Sequence, residues 1–292
     1  MFPTKERNHP AVYLKHEDQD ILFDCGEGTQ RQMRIVGISP TKLDKIFISH
    51  WHGDHSLGVG GILQSISASV EEKSLAIYGP VGTRESVEHI IKAYKFDPHL
   101  NLEVFEIPLK VGEQAKVCEG RTWEIHAIGL KHVVPTLGFK FVVKPKRKIN
   151  LEYTKKFGLV RHPLLGKLQR GETIYWKGVK ITPEEATYLT QPKIFVYVPD
   201  TAYFDSLSEF CKEADLLLIE CTYRREMKEK ASEYKHLTTE DVTKIARSAN
   251  VKKVVITHLS QRYEGNYEEV LNEIKESFPN VELARDFMEI QL

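Results

Sequence analysis

Ile46-Phe47-Ile48-Ser49-His50-Trp51-His52-Gly53-Asp54-His55-Ser56-Leu57-Gly58 decides the reading of this chain. An apolar, β-prone run over Lys45 to Ser49 feeds directly into His50-x-His52-x-Asp54-His55. Alternate residues of an extended chain point the same way, so His50 and His52 can converge on one ion. Gly53 then turns the chain, which lets Asp54 and His55 face a second ion nearby. Imidazole with carboxylate suits zinc or a similar divalent first-row metal. With 12 His in 292 residues, the expected number of chance matches to this pattern is below about 10⁻³. A metalloprotease helix is excluded, because its two histidines stand four apart on one helical face.

Four donors from one loop cannot complete two metal sites, so distant partners are required. His132 follows an apolar strand over Thr122 to Ile128, Asp200 follows Ile194 to Val198, and His258 follows Val254 to Thr257. Each stands where a strand ends, and such ends share one edge of an α/β sheet. Asp200 is the natural carboxylate to lie between two ions. The bland alternative for each is a lone structural histidine or a turn aspartate.

Around this centre the first half alternates short strands with turns: Ala11 to Leu14, Ile21 to Phe23, Leu75 to Tyr78, Leu102 to Ile107 and Phe139 to Val143. Thr83 to Tyr94 reads as a helix, with Val87, Ile90, Ile91 and Tyr94 at helical spacing. After about residue 190 strands and helices alternate: Leu216 to Ile219, a helix over Thr239 to Ser248 opened by Thr238 and Asp241, then Lys253 to Thr257 and a helix over Tyr267 to Phe278. The expected class is α/β, sheets with helices packed outside.

Hydrophobic residues make up 41% and charged residues 28% of the 292, which excludes disorder and fibrous repeats. No apolar run approaches the roughly 20 residues of a membrane span, and no signal segment opens the chain. Cys25, Cys118, Cys211 and Cys221 lack CxxC spacing and read as reduced thiols of a cytoplasmic protein. The balance of 41 basic and 41 acidic residues, taken whole, argues against nucleic acid. Residues 144–180 contradict that: eleven Lys and Arg against Glu152 and Glu172, a net +9, leaving −9 on the remainder. Rich in Gly and Pro with little periodicity, this stretch reads as an inserted arm, or as a solvated surface hairpin.

Taken together, the motifs resemble the metallo-β-lactamase superfamily and, within it, ribonuclease Z. Phe23-Asp24-Cys25-Gly26-Glu27-Gly28-Thr29-Gln30-Arg31-Gln32 resembles that family's first motif; His132-Val-Val-Pro-Thr-Leu-Gly-Phe139 and His258-Leu-Ser-Gln-Arg262-Tyr263 resemble the third and fifth. Pro3-Thr-Lys5-Glu-Arg7-Asn8 matches its Pro-x-Lys-x-Arg-Asn loop. Two departures stand out. The family usually has a strand and glycine-rich turn before that loop, and its Gly-Asp-Thr is here Pro199-Asp200-Thr201.

The resemblance implies an αββα four-layer sandwich over 1–292, two mixed sheets with helices outside, and a basic protruding arm at 144–190 that grips the tRNA elbow. It implies an endonuclease that removes the 3′ trailer of precursor tRNA after the discriminator nucleotide, with two divalent ions, zinc first and manganese as the alternative. By the same resemblance His50, His52 and His132 hold one ion, and Asp54, His55 and His258 the other, with Asp200 between them. Asp54 also takes the proton of the attacking water. His236 donates a proton to the leaving oxygen, and Glu220 supports it. Asp24 is expected to hydrogen-bond the ligand loops. Lys5, Arg7 and Arg262 are candidates for the acceptor end of the RNA, and Lys155, Lys156, Arg161, Lys167 and Arg170 for its elbow. A homodimer is implied too. The rival readings are a superfamily hydrolase of small phosphodiesters or sulfate esters, which has no need of the arm, and a metal-bearing RNA-binding protein without turnover.

Overall fold

The computed structural model describes residues 3–69, 73–95 and 100–292. Five strands form the first sheet in chain order: β1 Val12–His16, β2 Gln19–Phe23, β3 Lys45–Phe47, β4 Ser74–Pro80 and β5 Asn101–Ile107. β1 and β2 make an antiparallel hairpin, and β2 to β5 run parallel. Helices α1 Thr29–Ile35, α2 Gly53–Ser56, α3 Val59–Ser69 and α4 Thr83–Tyr94 follow the strands of this sheet. α1, α3 and α4 cover its outer face, where Met33, Val59, Ile62, Leu63, Ile66 and Val87 bury against Leu22, Ile46 and Ile77.

The chain then enters the second sheet with β6 Gln114–Glu119, β7 Trp123–Leu130 and β8 Thr136–Val143, all antiparallel. Next comes a segment with its own small core. It holds β9 Arg147–Ile149, α5 Leu151–Lys155, α6 Leu164–Gln169, β10 Ile174–Trp176, β11 Val179–Ile181, α7 Pro183–Ala186 and β12 Thr187–Leu189. Leu159, Leu168, Ile174, Ile181 and Ala186 bury against one another there. β9 pairs with β12, so the segment leaves and rejoins the body through one short antiparallel ladder. It therefore runs past residue 180 and takes in Glu184 and Glu185, which tempers the excess of positive charge.

β13 Lys193–Val198 pairs back onto β8, and β14 Leu216–Glu220, β15 Val254–Thr257 and β16 Val281–Leu283 extend the second sheet in parallel, for seven strands in the order β16-β15-β14-β13-β8-β7-β6. α8 Ser206–Phe210, α9 Lys228–Tyr234, α10 Thr239–Ser248 and α11 Tyr267–Lys275 lie along this half. α8, α10 and α11 bury Leu207, Val242, Ile245, Val270 and Ile274 on its outer face. Between the sheets Ile21, Phe23 and Phe47 meet Trp123, Phe139, Phe141 and Tyr197. Helix, sheet, sheet, helix are the four expected layers, with both sheets mixed. Among the described residues no helix is long and apolar enough to cross a membrane.

Candidate metal centre

Most of the expected donors, and Asp24 behind them, sit just past the C-terminal end of a strand. Asp24 follows β2, His50 and His52 follow β3, His132 follows β7, Asp200 follows β13 and His258 follows β15; Asp54 and His55 ride on the single turn of α2. That turn is held by the Asp24 loop: the Cys25 amide donates to the His55 carbonyl at 2.8 Å, and the Gly58 amide to the Cys25 carbonyl at 2.9 Å. The approach is close enough to demand glycine. A Cβ on Gly26 would stand 2.3 Å from the Asp54 carbonyl oxygen, and one on Gly58 2.2 Å from that of Gly26. Gly26 and Gly58 thus have a packing reason, and Gly28 adopts left-handed backbone, φ 78°. The Leu137 amide of β8 donates to the Ser49 carbonyl at 2.9 Å, which joins the two sheets beside the donors.

Donor atoms of His50, His52, His132 and Asp200 lie within 4.8 Å of one another, as do those of Asp54, His55 and His258. His50 Nε2 is 3.0 Å from His52 Nδ1 and 3.8 Å from Asp200 Oδ2. His132 Nε2 is 3.9 Å from the same carboxylate oxygen. On the other side, Asp200 Oδ1 is 3.4 Å from His55 Nε2 and 3.3 Å from His258 Nε2, and Asp54 Oδ2 is 3.3 Å from His258 Nε2. Ligands around a tetrahedral ion with bonds of about 2.1 Å stand roughly 3.4 Å apart, so the donor spacing fits. His55 Nε2, His132 Nε2 and Asp200 Oδ1 are buried and hydrogen-bond to nothing among the described residues. Orphaned polar atoms at one point are costly unless a cation satisfies them. This centre is built to bind divalent metal.

Partners behind the rings aim them inward. His55 Nδ1 is 2.6 Å from Asp24 Oδ2, and His132 Nδ1 donates to the Lys235 carbonyl at 3.2 Å. Each frees Nε2 for the ion. The Tyr197 hydroxyl donates to Asp24 Oδ2 at 2.7 Å, fixing that fully buried carboxylate. Asp24 and His258 adopt left-handed backbone, with φ 56° and 54°. Burial pushes the His50 and His132 imidazoles below their ordinary values, which favours the neutral ligand form. Burial works to raise Asp54 and Asp200, yet hydrogen bonding to His258 on Asp54, and the charges of His258 and His55 on Asp200, hold both carboxyls below the usual range. For His55, burial is outweighed by Asp200 and Asp24, and it titrates above the ordinary imidazole range.

Beside the donors, His236 Nδ1 lies 2.8 Å from Glu220 Oε1, the last residue of β14 and fully buried. Burial alone would lower His236, but the charge and hydrogen bond of Glu220 raise it to about 9. The cationic candidates divide. Lys5 is exposed, whereas Arg7 is half-buried with its guanidinium 5.1 Å from the centre of the Tyr267 ring. Arg262 is exposed, 5.4 Å from the Tyr223 ring. Lys155, Lys156, Arg161, Lys167 and Arg170 are all exposed on the 147–189 segment, Arg170 paired with Glu172 at 2.8 Å. Sequence reasoning missed Ser49, Thr222 and Tyr197, which touch the histidines or their carboxylates. Only the placing of Ser49 and Thr222 next to His50 and two residues after Glu220 could have pointed to them.

Fold and site together define a metallo-β-lactamase-type hydrolase. Residues 4–132 match the metallo-beta-lactamase superfamily and residues 162–259 a beta-lactamase superfamily domain. Ribonuclease Z of Methanosarcina acetivorans is 37% identical over 292 residues, spanning 99% of this chain and 94% of that protein. Ribonuclease Z of Archaeoglobus fulgidus is 36% identical, again over 99% of this chain and 94% of the relative. The crystal structure of human tRNase Z, short form, aligns with a TM-score of 0.71 at 25% identity, covering 100% of this chain and 95% of that one. This chain belongs to the ribonuclease Z family, whose members are hydrolytic endonucleases.

Proposed function

We propose that this chain is a metal-dependent endoribonuclease that removes the 3′ trailer of precursor tRNA after the discriminator nucleotide, leaving a 3′-hydroxyl on the tRNA and a 5′-phosphate on the trailer. The observation that carries this reading is the placing of His236 and Glu220 against a donor set able to hold two cations. His50, His52 and His132 form one half, Asp54, His55 and His258 the other, and Asp200 faces both. Two divalent ions, zinc before manganese, would supply charge stabilisation at a phosphoryl oxygen and a more acidic water.

The protein's own groups do the rest. Asp54, held ionised, accepts the proton of the attacking water. His236, raised to about 9 by Glu220 against its burial, is protonated at neutral pH, the state needed to give a proton to the departing 3′-oxygen. Residues 144–190 form the inserted arm of a single domain; the exposed Lys155, Lys156, Arg161, Lys167 and Arg170 contact phosphates of the tRNA elbow, while Lys5, Arg7 and Arg262 approach the acceptor end. The reading includes cytoplasmic residence, supported by four free cysteines. It also includes a homodimer in which one subunit's arm presents the RNA to its partner.

Incubating the metal-loaded protein with a precursor tRNA carrying a 3′ trailer should give one cut at the discriminator, abolished by chelation and by Asp54→Ala. Intact RNA, with bis(p-nitrophenyl) phosphate still turned over, would transfer the assignment to small phosphodiesters.

A further inference from the structure

Two buried hydroxyls have no part in the chemistry above, yet each joins a buried carboxylate to a metal-facing histidine. Ser49 Oγ lies 2.8 Å from Asp24 Oδ2 and 3.0 Å from His50 Nδ1. Thr222 Oγ1 lies 2.7 Å from Glu220 Oε2 and 3.0 Å from His258 Nδ1. We infer that Ser49 and Thr222 are positioning residues, one for each metal ion, that fix the tautomer and aim of His50 and His258. The inference rests on the two-ion reading of the centre.

Proton counting carries it. A hydroxyl has one proton and can also accept. At Thr222 that proton goes to Glu220, the shorter and charged acceptor, since the reverse arrangement would set two lone pairs against each other at 2.7 Å. The His258 carbonyl, also 3.0 Å from the hydroxyl, is the weaker acceptor. The Thr222 oxygen is then left to accept, so His258 keeps its proton on Nδ1, and an ion would replace the 3.3 Å contact of Nε2 with Asp54 and find a bare nitrogen there. Ser49 repeats the arrangement: it donates to Asp24, accepts from His50 Nδ1, and leaves Nε2 of His50 for the other ion.

The carboxylates behind the relays are shared. Asp24 holds His55 directly and His50 through Ser49, one donor from each half of the centre. Glu220 is saturated by four donors: the Thr201 amide at 3.0 Å, His236 at 2.8 Å, and the Thr222 amide and hydroxyl at 3.0 and 2.7 Å. The proton donor, the Asp200 loop and His258 therefore hang from one buried group.

The test titrates metal-free protein with Zn²⁺ against a chromophoric chelator, and measures the melting temperature of each metal-free variant. Wild type should take two ions. Thr222→Val should weaken one step by about 10–100-fold and leave the other unchanged, and Thr222→Ser should restore it. Ser49→Ala should weaken the other step, and the double variant both. Unchanged affinities in Thr222→Val and Ser49→Ala, or weakening of the same step by both, would overturn the inference; so would affinity losses matched by equal falls in metal-free stability. If Thr222→Val does not fold, Ser49→Ala carries the test alone, with unchanged affinity as the refuting result. Wild type that takes up no ion would instead bring down the two-ion reading itself.

Discussion

The His236 ring lies 5.3 Å from the His258 ring and 5.4 Å from that of His132, at the rim of the donor set, with its second nitrogen committed to Glu220. The proposed role there is to give a proton rather than to hold an ion, although one of its nitrogens also lies within 4.8 Å of donor atoms of Asp200 and His258. His236→Ala is expected to lower kcat for trailer removal by roughly 10²–10⁴, with KM and bound metal close to wild type. Single-turnover cleavage alongside metal analysis checks this, and parallel loss of metal would make His236 a ligand. At this scale the donors were readable because His50 to His55 need only local chain geometry, and His132, Asp200 and His258 each follow an apolar strand. The groups that aim them were not. Ser49 and Thr222 are ordinary small residues in sequence, and Tyr197 lies 173 positions from the Asp24 it holds. Their roles come from neighbours that only the packed sheets bring together.

Helices with a marked apolar stripe were the most legible elements. Thr83–Tyr94 and Thr239–Ser248 begin and end as the periodicity predicts, and the second opens with the Thr238 and Asp241 capping box. The helix Val59–Ser69 was missed, because its Gly60-Gly61 pair and serines are poor helix formers and tertiary burial of Ile62, Leu63 and Ile66 stabilises it instead. The polar edge strand Gln114–Glu119 escaped for want of an apolar run. Short helices in the 147–189 segment hold too few turns to show a period. Contacts between elements give a further prediction. Glu273 of α11, its side chain 6% exposed, accepts from Arg224 Nε and from the Thr239 hydroxyl, both at 2.6 Å, tying α11 to the loop after β14 and to the start of α10. Burial would raise this carboxyl, but those two hydrogen bonds, that of Thr239 first, hold it below the ordinary 4.5. A depressed carboxyl stabilises the fold above its unfolded value and loses that contribution as pH falls. Glu273→Gln should therefore cost roughly 1–2 kcal/mol near neutral pH, and the gap should close below pH 4.5, as urea midpoints across pH will show.

For the whole molecule, the 41 to 41 charge balance conceals a division: 144–180 carries +9 and everything else −9. β9 and β12 place Ile149 opposite Thr187, so a short turn can close the ladder with residues 150–186 removed. That deletion is expected to keep the four-layer body and small-phosphodiester turnover. It should weaken precursor tRNA binding on the order of 10²-fold and flatten its salt dependence. Equal loss of both activities would show that the segment supports the fold. The donor set spans the chain from His50 to His258, with each sheet contributing part. A protein made from its N-terminus presents His50, His52, Asp54 and His55 first, when the first sheet has nothing opposite it. His132 follows, and Asp200 and His258 arrive only after the 147–189 segment has been synthesised. Until then the loop after β3 offers only four of the seven expected donors. The full donor set, and with it any competent centre, is assembled only when the last strands have closed.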